Sequence, residues 1–168
     1  MPLIRSATIQ DLPEILRIQA LCYSSIEPEG PAAYINKLEQ APDCAFVIEQ
    51  APQQLLAYVF ALPINIQQPP ALDADNFVLP ASADCLYLHD LAIDPAARGM
   101  KLSTSLLNAF FTSAQQRQLP QASLIAIQNS GGFWQRYGFH TQHPISTAPA
   151  MLTKIASYGD ALYMTKTL

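Results

Sequence analysis

The chain has 168 residues, the length of one domain and too short for two independently cored ones. Half of it is apolar and 13% is charged, against roughly 25% in an average soluble domain, which excludes general disorder. Nine Lys and Arg scattered among 13 Asp and Glu give a net charge of −4 with no basic cluster in the sequence, so a nucleic acid is not the expected partner, and no apolar run reaches the ~18–20 residues of a membrane span.

The chain opens as a short strand, Pro2 to Ala7, followed by Thr8 and, three residues on, Asp11 in a capping-box-like start. Leu12, Ile15, Leu16 and Leu21 then recur at helical spacing, with Pro13 tolerated in the first turn. A second helix is expected from Pro31, with Tyr34, Ile35 and Leu38 on one face, ending near Ala41-Pro42. Two strands, Cys44 to Glu49 and Leu55 to Leu62, read as a hairpin through Ala51-Pro52-Gln53-Gln54. Pro63 to Asp84 has no periodicity and carries four prolines; it reads as a loop beside a binding site or as a passive surface excursion.

Cys85 to Ile93 is the clearest strand, ended by Asp94-Pro95, and Leu102 to Arg117 is a helix striped by Leu106, Phe110 and Ala114. A strand from Ala122 to Ile127 leads through Gln128-Asn129-Ser130-Gly131-Gly132 into a short helix near Phe133 to Tyr137, stopped by Gly138. Ala161 to Leu168 reads as a final strand. No repeat or linker divides the chain, so residues 1–168 are expected to be one domain. Cys22, Cys44 and Cys85 fit neither a disulfide framework nor a metal site and read as reduced core residues, and His89, His140 and His143 lack paired ligand spacing, so no metal is expected.

The informative segment is Tyr87 to Ser103, a buried strand that runs into a Gly-containing basic turn and then a helix. Unpaired N–H groups in a first helical turn favour an anion, and Arg98, Lys101 and the hydroxyls of Ser103, Thr104 and Ser105 add to that preference. Strict alternation places Tyr87, His89, Leu91 and Ile93 on one strand face and Leu88, Asp90 and Ala92 on the other. Histidine is the side chain suited to proton transfer near neutral pH, which makes His89 the first candidate base.

With these residues the chain resembles the GCN5-related N-acetyltransferase superfamily. The family's pyrophosphate loop, Arg or Gln, two residues, Gly, any residue, then Gly or Ala, has its counterpart in Arg98-Gly99-Met100-Lys101-Leu102-Ser103, where Lys101 stands at the internal Gly and Ser103 at the final small residue. Phe133-Trp134-Gln135-Arg136-Tyr137-Gly138-Phe139 is similar to the family's Phe-Tyr-x-x-x-Gly-Phe signature. Locally the chain also resembles the arylalkylamine N-acetyltransferase branch, two of whose histidines fall at Tyr87 and His89 and whose tyrosine falls at Trp134.

The resemblance implies an α/β fold whose central, mostly antiparallel sheet has splayed middle strands flanked by helices. It implies an N-acetyltransferase that moves an acetyl group from acetyl-CoA, a cosubstrate, to a primary amine by direct attack. Backbone groups of Leu91, Ala92 and Ile93 are then expected to hold pantetheine and polarise the thioester. Arg98, Gly99, Met100, Lys101, Leu102 and Ser103 are expected to hold the pyrophosphate, with Asn129 and Trp134 also at the cofactor. His89 is the expected base, Tyr87 its orienting neighbour and Tyr137 the phenol nearest in sequence for the thiolate. The expected partner is a small-molecule or peptide amine in the cytoplasm, and oligomeric state stays open, a homodimer included. Lys101 and Trp134 motivate an alternative, a catalytically silent CoA-binding or interaction domain on the same fold.

Overall fold

The computed structural model describes residues 1–24, 27–141, 149–159 and 161–168. Seven strands form one sheet: β1 (Leu3–Ser6), β2 (Ala45–Ala51), β3 (Gln54–Ile64), β4 (Cys85–Ile93), β5 (Gln121–Ala126), β6 (His140–Thr141) and β7 (Leu162–Thr167), in the order β1-β2-β3-β4-β5-β7-β6. Every neighbouring pair is antiparallel except β4 and β5. Five helices accompany them: α1 (Leu12–Cys22), α2 (Pro31–Gln40), α3 (Leu102–Gln116), α4 (Gly131–Gln135) and α5 (Pro149–Ala156).

The elements follow from local chemistry. The Asp11 carboxylate accepts from the Thr8 amide at 2.8 Å and so caps the turn that leads into α1. The hairpin between β2 and β3 closes through Pro52 and Gln53, with Ala51 paired to Gln54 and Gln53 at φ 60°. Ile15 and Ile18 of α1 and Tyr34 and Leu38 of α2 pack with Val47, Leu55, Tyr58 and Phe60 on one sheet face. Leu106, Leu107, Phe110 and Ala114 of α3 pack with Val59, Leu86, Leu88 and Leu124 in the larger core. A fully buried Leu or Phe of this kind stabilises by about 1.5–3 kcal/mol, so the two amphipathic faces hold the layers together.

Four expectations need correction. Leu21, expected in the apolar stripe, is solvent-exposed, and Ile18 takes its place in the core. Ile35 is only half-buried, while Lys37 of the same helix is fully buried. Helix α5 had no counterpart in the sequence expectations, and His143 lies outside the described residues. The strict alternation along β4 also fails, because the β3–β4 register shifts: Phe60 pairs with Asp90 but Ala61 pairs with Leu88, leaving His89 as an inserted residue. Cross-strand partners share a face, so Tyr87 opposite Leu62, Asp90 opposite Phe60 and Ala92 opposite Tyr58 lie on one side. The bulge thereby turns Asp90 to the face that strict alternation denied it.

The connection from Asn65 to Asp84 is no passive excursion. Leu72 donates to Ser157 Oγ (3.2 Å), the Asp73 amide to Glu29 Oε2 (2.9 Å), the Phe77 amide to Asn36 Oδ1 (3.0 Å) and the Leu79 amide to Gln40 Oε1 (2.9 Å). These bonds satisfy backbone groups that no ladder serves, and they lay the loop across α2 and the end of α5.

Candidate active site

Strands β4 and β5 pair in parallel only from Leu86 to Leu88 against Ala122 to Leu124. Beyond Leu88 they diverge, and a cavity of about 310 Å³ opens between them, lined by residues 88–93 of β4, Leu124, Ile125 and Ile127, and the C-terminal end of α1. In an antiparallel ladder a residue directs its N–H and C=O to the same edge. The Leu91 carbonyl accepts from Tyr23 Oη (3.0 Å) and the Ile93 carbonyl from Cys22 Sγ (3.1 Å), both off the β3 edge, so the amides of Leu91 and Ile93 also face the gap. Ala92, by the same parity, directs its backbone to β3.

The turn after β4 lies at one end of this gap, where Arg98 lines the cavity. Gly99 has φ 88° and an open space where a Cβ would go, and Lys101 caps α3 from φ 58°, ψ 27°. Lys101 therefore adopts the left-handed conformation usual for glycine, with its side chain exposed rather than folded into the turn. Leu102 and Ser103 begin a 15-residue helix and have no intrahelical acceptor for their amides. Met100 is exposed. The turn thus carries two basic side chains, Arg98 and Lys101, just ahead of the free amides at the start of α3, with Gly99 and Lys101 both at positive φ.

On the other wall, β5 is followed, after Ile127, by two residues of positive φ, Gln128 at 52° and Asn129 at 61°, before α4. Gln128, Ser130, Phe133 and Trp134 line the cavity, and Asn129 is exposed between two of them. Trp134 is buried, donates through Nε1 to Ser130 Oγ (3.2 Å) and meets Phe133 and Phe139 edge-on. Tyr137 lies past the end of α4 and is not among the cavity-lining residues; its carbonyl accepts from Lys166 Nζ at 2.7 Å. Gly138 turns the chain there with φ 85°.

The polar heart of the cavity is assembled from distant segments. His89 Nε2 is 2.6 Å from Glu29 Oε1, with side chains only 1% and 4% exposed. Glu29 sits in the α1–α2 connection, where its amide donates to Gln19 Oε1 and its carbonyl accepts from Gln19 Nε2, each at 2.9 Å. Burial alone would push the Glu29 carboxyl up, but His89, Lys37 and the Asp73 amide hold it down at about 2. His89 Nδ1 is 3.4 Å from Tyr158 Oη, which also accepts from Tyr87 Oη (3.2 Å) and donates to the Pro70 carbonyl (3.1 Å). Tyr87 is thus a fully buried neighbour of His89 that is linked to it through the Tyr158 hydroxyl and does not line the cavity.

Next to His89, Asp90 receives Tyr23 Oη at 2.6 Å on one oxygen and Tyr58 Oη and Tyr34 Oη at 2.7 and 2.9 Å on the other. Burial raises its pKa, and the tyrosine bonds only partly offset the shift. Sequence reasoning missed Glu29, Tyr158 and Tyr23. Only Glu29, in the Glu27-Pro28-Glu29-Gly30-Pro31 punctuation between two helices, left any trace, and that trace is a turn signal. Among the described residues no three His, Cys, Asp or Glu side chains are grouped to hold a metal ion.

The sequence profile described as the acetyltransferase (GNAT) family matches residues 12–139, most of the chain and all of the gap between β4 and β5. The chain belongs to that family. Its members are acyltransferases, and the splayed parallel pair with its basic turn is where this GNAT chain places its cavity. No curated protein matches the chain in sequence. Among solved structures it is similar to Ard1 from Thermoplasma volcanium, with 16% identity, 99% of this chain and 97% of that one covered, and a TM-score of 0.72. The loading GNATL domain of CurA from Lyngbya majuscula is 12% identical over 99% of this chain and 98% of that one, TM-score 0.77. The PaiA N-acetyltransferase from Thermoplasma acidophilum, solved in complex with coenzyme A, is 15% identical over 100% and 99%, TM-score 0.67. At such identities the likeness is one of fold.

Proposed function

We propose that this GNAT chain, acting as one domain, transfers the acetyl group of acetyl-CoA to a primary amine, either a small molecule or the amine of a peptide. The observation that carries the reading is the opening of the β4–β5 ladder immediately beside His89, with the basic turn at 98–103 at one end of the same gap. Acetyl-CoA supplies an activated thioester and an anionic pyrophosphate. The basic turn suits the pyrophosphate: Arg98 and Lys101 provide charge, and Gly99, Met100, Leu102 and Ser103 provide backbone close to a helix start. The Leu91 and Ile93 amides polarise the thioester carbonyl, Ala92 keeps that strand on β3, and Trp134 and the turn around Asn129 close the other side.

Only a neutral amine attacks a thioester, so the nitrogen must lose a proton, and His89 is the base that takes it. The C–N bond forms as the C–S bond breaks, and the departing thiolate takes a proton from water. Tyr137, outside the cavity lining, has no place in that step, whereas Tyr158 and through it Tyr87 hold the imidazole. The expected site of action is the cytoplasm, and no helix among the described residues is long and apolar enough to cross a membrane.

Titration calorimetry of the protein with acetyl-CoA, followed by thiol release over a panel of amines, tests the proposal. Micromolar binding together with release on an amine supports it. Binding without release on any amine makes the chain a silent CoA-binding domain. No binding at millimolar acetyl-CoA overturns the cosubstrate itself.

A further inference from the structure

We infer that Glu29 fixes the tautomer of His89, so that the ring carries its proton on Nε2 and offers Nδ1 to the substrate; the inference rests on the acetyltransferase reading above and makes Glu29 a positioning residue. At 2.6 Å, Glu29 Oε1 and His89 Nε2 share one proton, and the question is which atom owns it. Oε2 of the same carboxylate already accepts from the Asp73 amide at 2.9 Å and from the Lys37 ammonium at 3.4 Å. Lys37 is itself buried, with two carbonyls, Ala33 and Ala74, as its other partners, so Glu29 is the anion that balances it. A carboxylate that accepts from an ammonium and an amide keeps its charge, and the shared proton therefore belongs to the imidazole.

The other ring nitrogen is left with its lone pair. Its neighbour Tyr158 Oη has a single proton, and the Pro70 carbonyl at 3.1 Å is nearer to it than Nδ1 at 3.4 Å. Tyr87 fills the acceptor side of that hydroxyl from 3.2 Å. Nδ1 thus has no donor committed to it among the described residues, and both His89 and Tyr158 line the cavity. In the transfer, the proton leaving the attacking nitrogen goes to Nδ1, and the imidazolium so formed keeps its Nε2–H on Glu29, which stabilises it. The logic is that of the carboxylate in hydrolase triads, with the roles of the two ring nitrogens exchanged. Gln19, which clamps the Glu29 backbone from both sides, and Lys37 give the carboxylate one position from which to do this.

The test is the ¹⁵N spectrum of ring-labelled protein, with His89 assigned by comparison with His89→Ala and recorded at a pH where the ring is neutral. A protonated Nε2 with a bare Nδ1 is expected; a protonated Nδ1 overturns the inference even if acetyl transfer is observed. Glu29→Gln provides the functional arm. Its kcat is expected to fall at least tenfold while KM for acetyl-CoA stays within about twofold, because the carboxylate acts on the base and not on the cosubstrate. An unchanged kcat in Glu29→Gln overturns the positioning role. If Glu29→Gln fails to fold, Lys37→Met serves instead, with the same split between kcat and KM expected and the same reversal if kcat is unchanged. If no amine is acetylated by the parent protein, the proposed function has failed, and the ¹⁵N spectrum still decides the tautomer.

Discussion

Glu29 Oε1 lies 2.6 Å from His89 Nε2, although 60 residues of chain separate the two. One comes from the connection between the first two helices and the other from the bulge in β4, so the pair ties the helical layer to the sheet at the point where β4 leaves β5. Both side chains are buried, and the contact therefore bears on folding as well as on chemistry.

The folding consequence depends on pH. The Glu29 carboxyl stands at about 2 in the folded protein against an ordinary value of 4.5. A depressed carboxyl contributes stability that is fully present above about pH 4.5 and is lost as the pH falls from there toward 2. The contribution is on the order of 3 kcal/mol. Urea unfolding of the parent and Glu29→Gln is expected to give a large difference in stability at pH 7 that shrinks steadily below pH 4.5. A difference that does not change between pH 7 and pH 3 would mean that Glu29 is not held as an anion.

Removing the imidazole tests its role directly. His89→Ala is expected to lower kcat at least tenfold with little change in acetyl-CoA affinity, since general base catalysis is worth about 10²–10⁴ in rate and the cosubstrate is held elsewhere. Steady-state turnover with the best amine of the panel, beside calorimetry of acetyl-CoA, separates the two. Turnover equal to that of the parent across pH 6–9 removes His89 from the mechanism.

At the basic turn, conformation and charge oppose each other. Lys101 holds φ 58°, where a side chain costs about 1–2 kcal/mol over glycine. Glycine there has more freedom to lose on folding, about 0.5–1 kcal/mol. Lys101→Gly is thus expected to leave thermal stability equal or slightly raised while KM for acetyl-CoA rises several-fold through loss of the ammonium. Gly99→Ala puts a side chain at φ 88° in open space, so strain alone should lower stability, by about 1–2 kcal/mol. Melting curves and acetyl-CoA titrations on the two variants check both signs. If Lys101→Gly binds acetyl-CoA as tightly as the parent, the ammonium takes no part in holding the pyrophosphate.

The parts of the site legible in the sequence are those whose cause is local. Cys85 to Ile93 reads as a strand because a run of apolar residues ends at Asp94-Pro95, and the turn at Arg98-Gly99 announces itself by composition before the α3 stripe. The bulge at His89 is set by pairing with β3, a partner 21 to 36 residues earlier, and one extra residue in the register reverses the faces that alternation assigns. Glu29 and Tyr158 reach the site only through tertiary packing: no period marks the α1–α2 connection, and Tyr158 follows a helix that its sequence did not signal. Tyr137, chosen by helical spacing from Trp134, misses the cavity because α4 ends at Gln135, before that spacing is completed.

Asp90 carries the opposite pH signature to Glu29. Tyr34 Oη lies 2.9 Å from both Asp90 Oδ2 and Gln19 Oε1, and Tyr23 Oη lies 2.6 Å from Asp90 Oδ1 and 3.0 Å from the Leu91 carbonyl. Each hydroxyl has one proton for two acceptors, so a proton on the carboxyl supplies one of the two that are lacking, in keeping with burial raising its pKa above the ordinary 3.8. A carboxyl whose folded pKa is raised favours folding while protonated, and ionising it as the pH climbs through that raised value withdraws stability. Asparagine has the shape and donor of the protonated acid. Asp90→Asn should therefore gain on the parent in urea midpoint as the pH rises from 4 to 8, whereas Asp90→Ala, which leaves buried hydroxyls without an acceptor, should lose about 1–3 kcal/mol or more throughout. If Asp90→Asn instead loses ground with rising pH, the carboxylate is a stabilising anion, and the three tyrosines serve to solvate a charge that stays on through the neutral range.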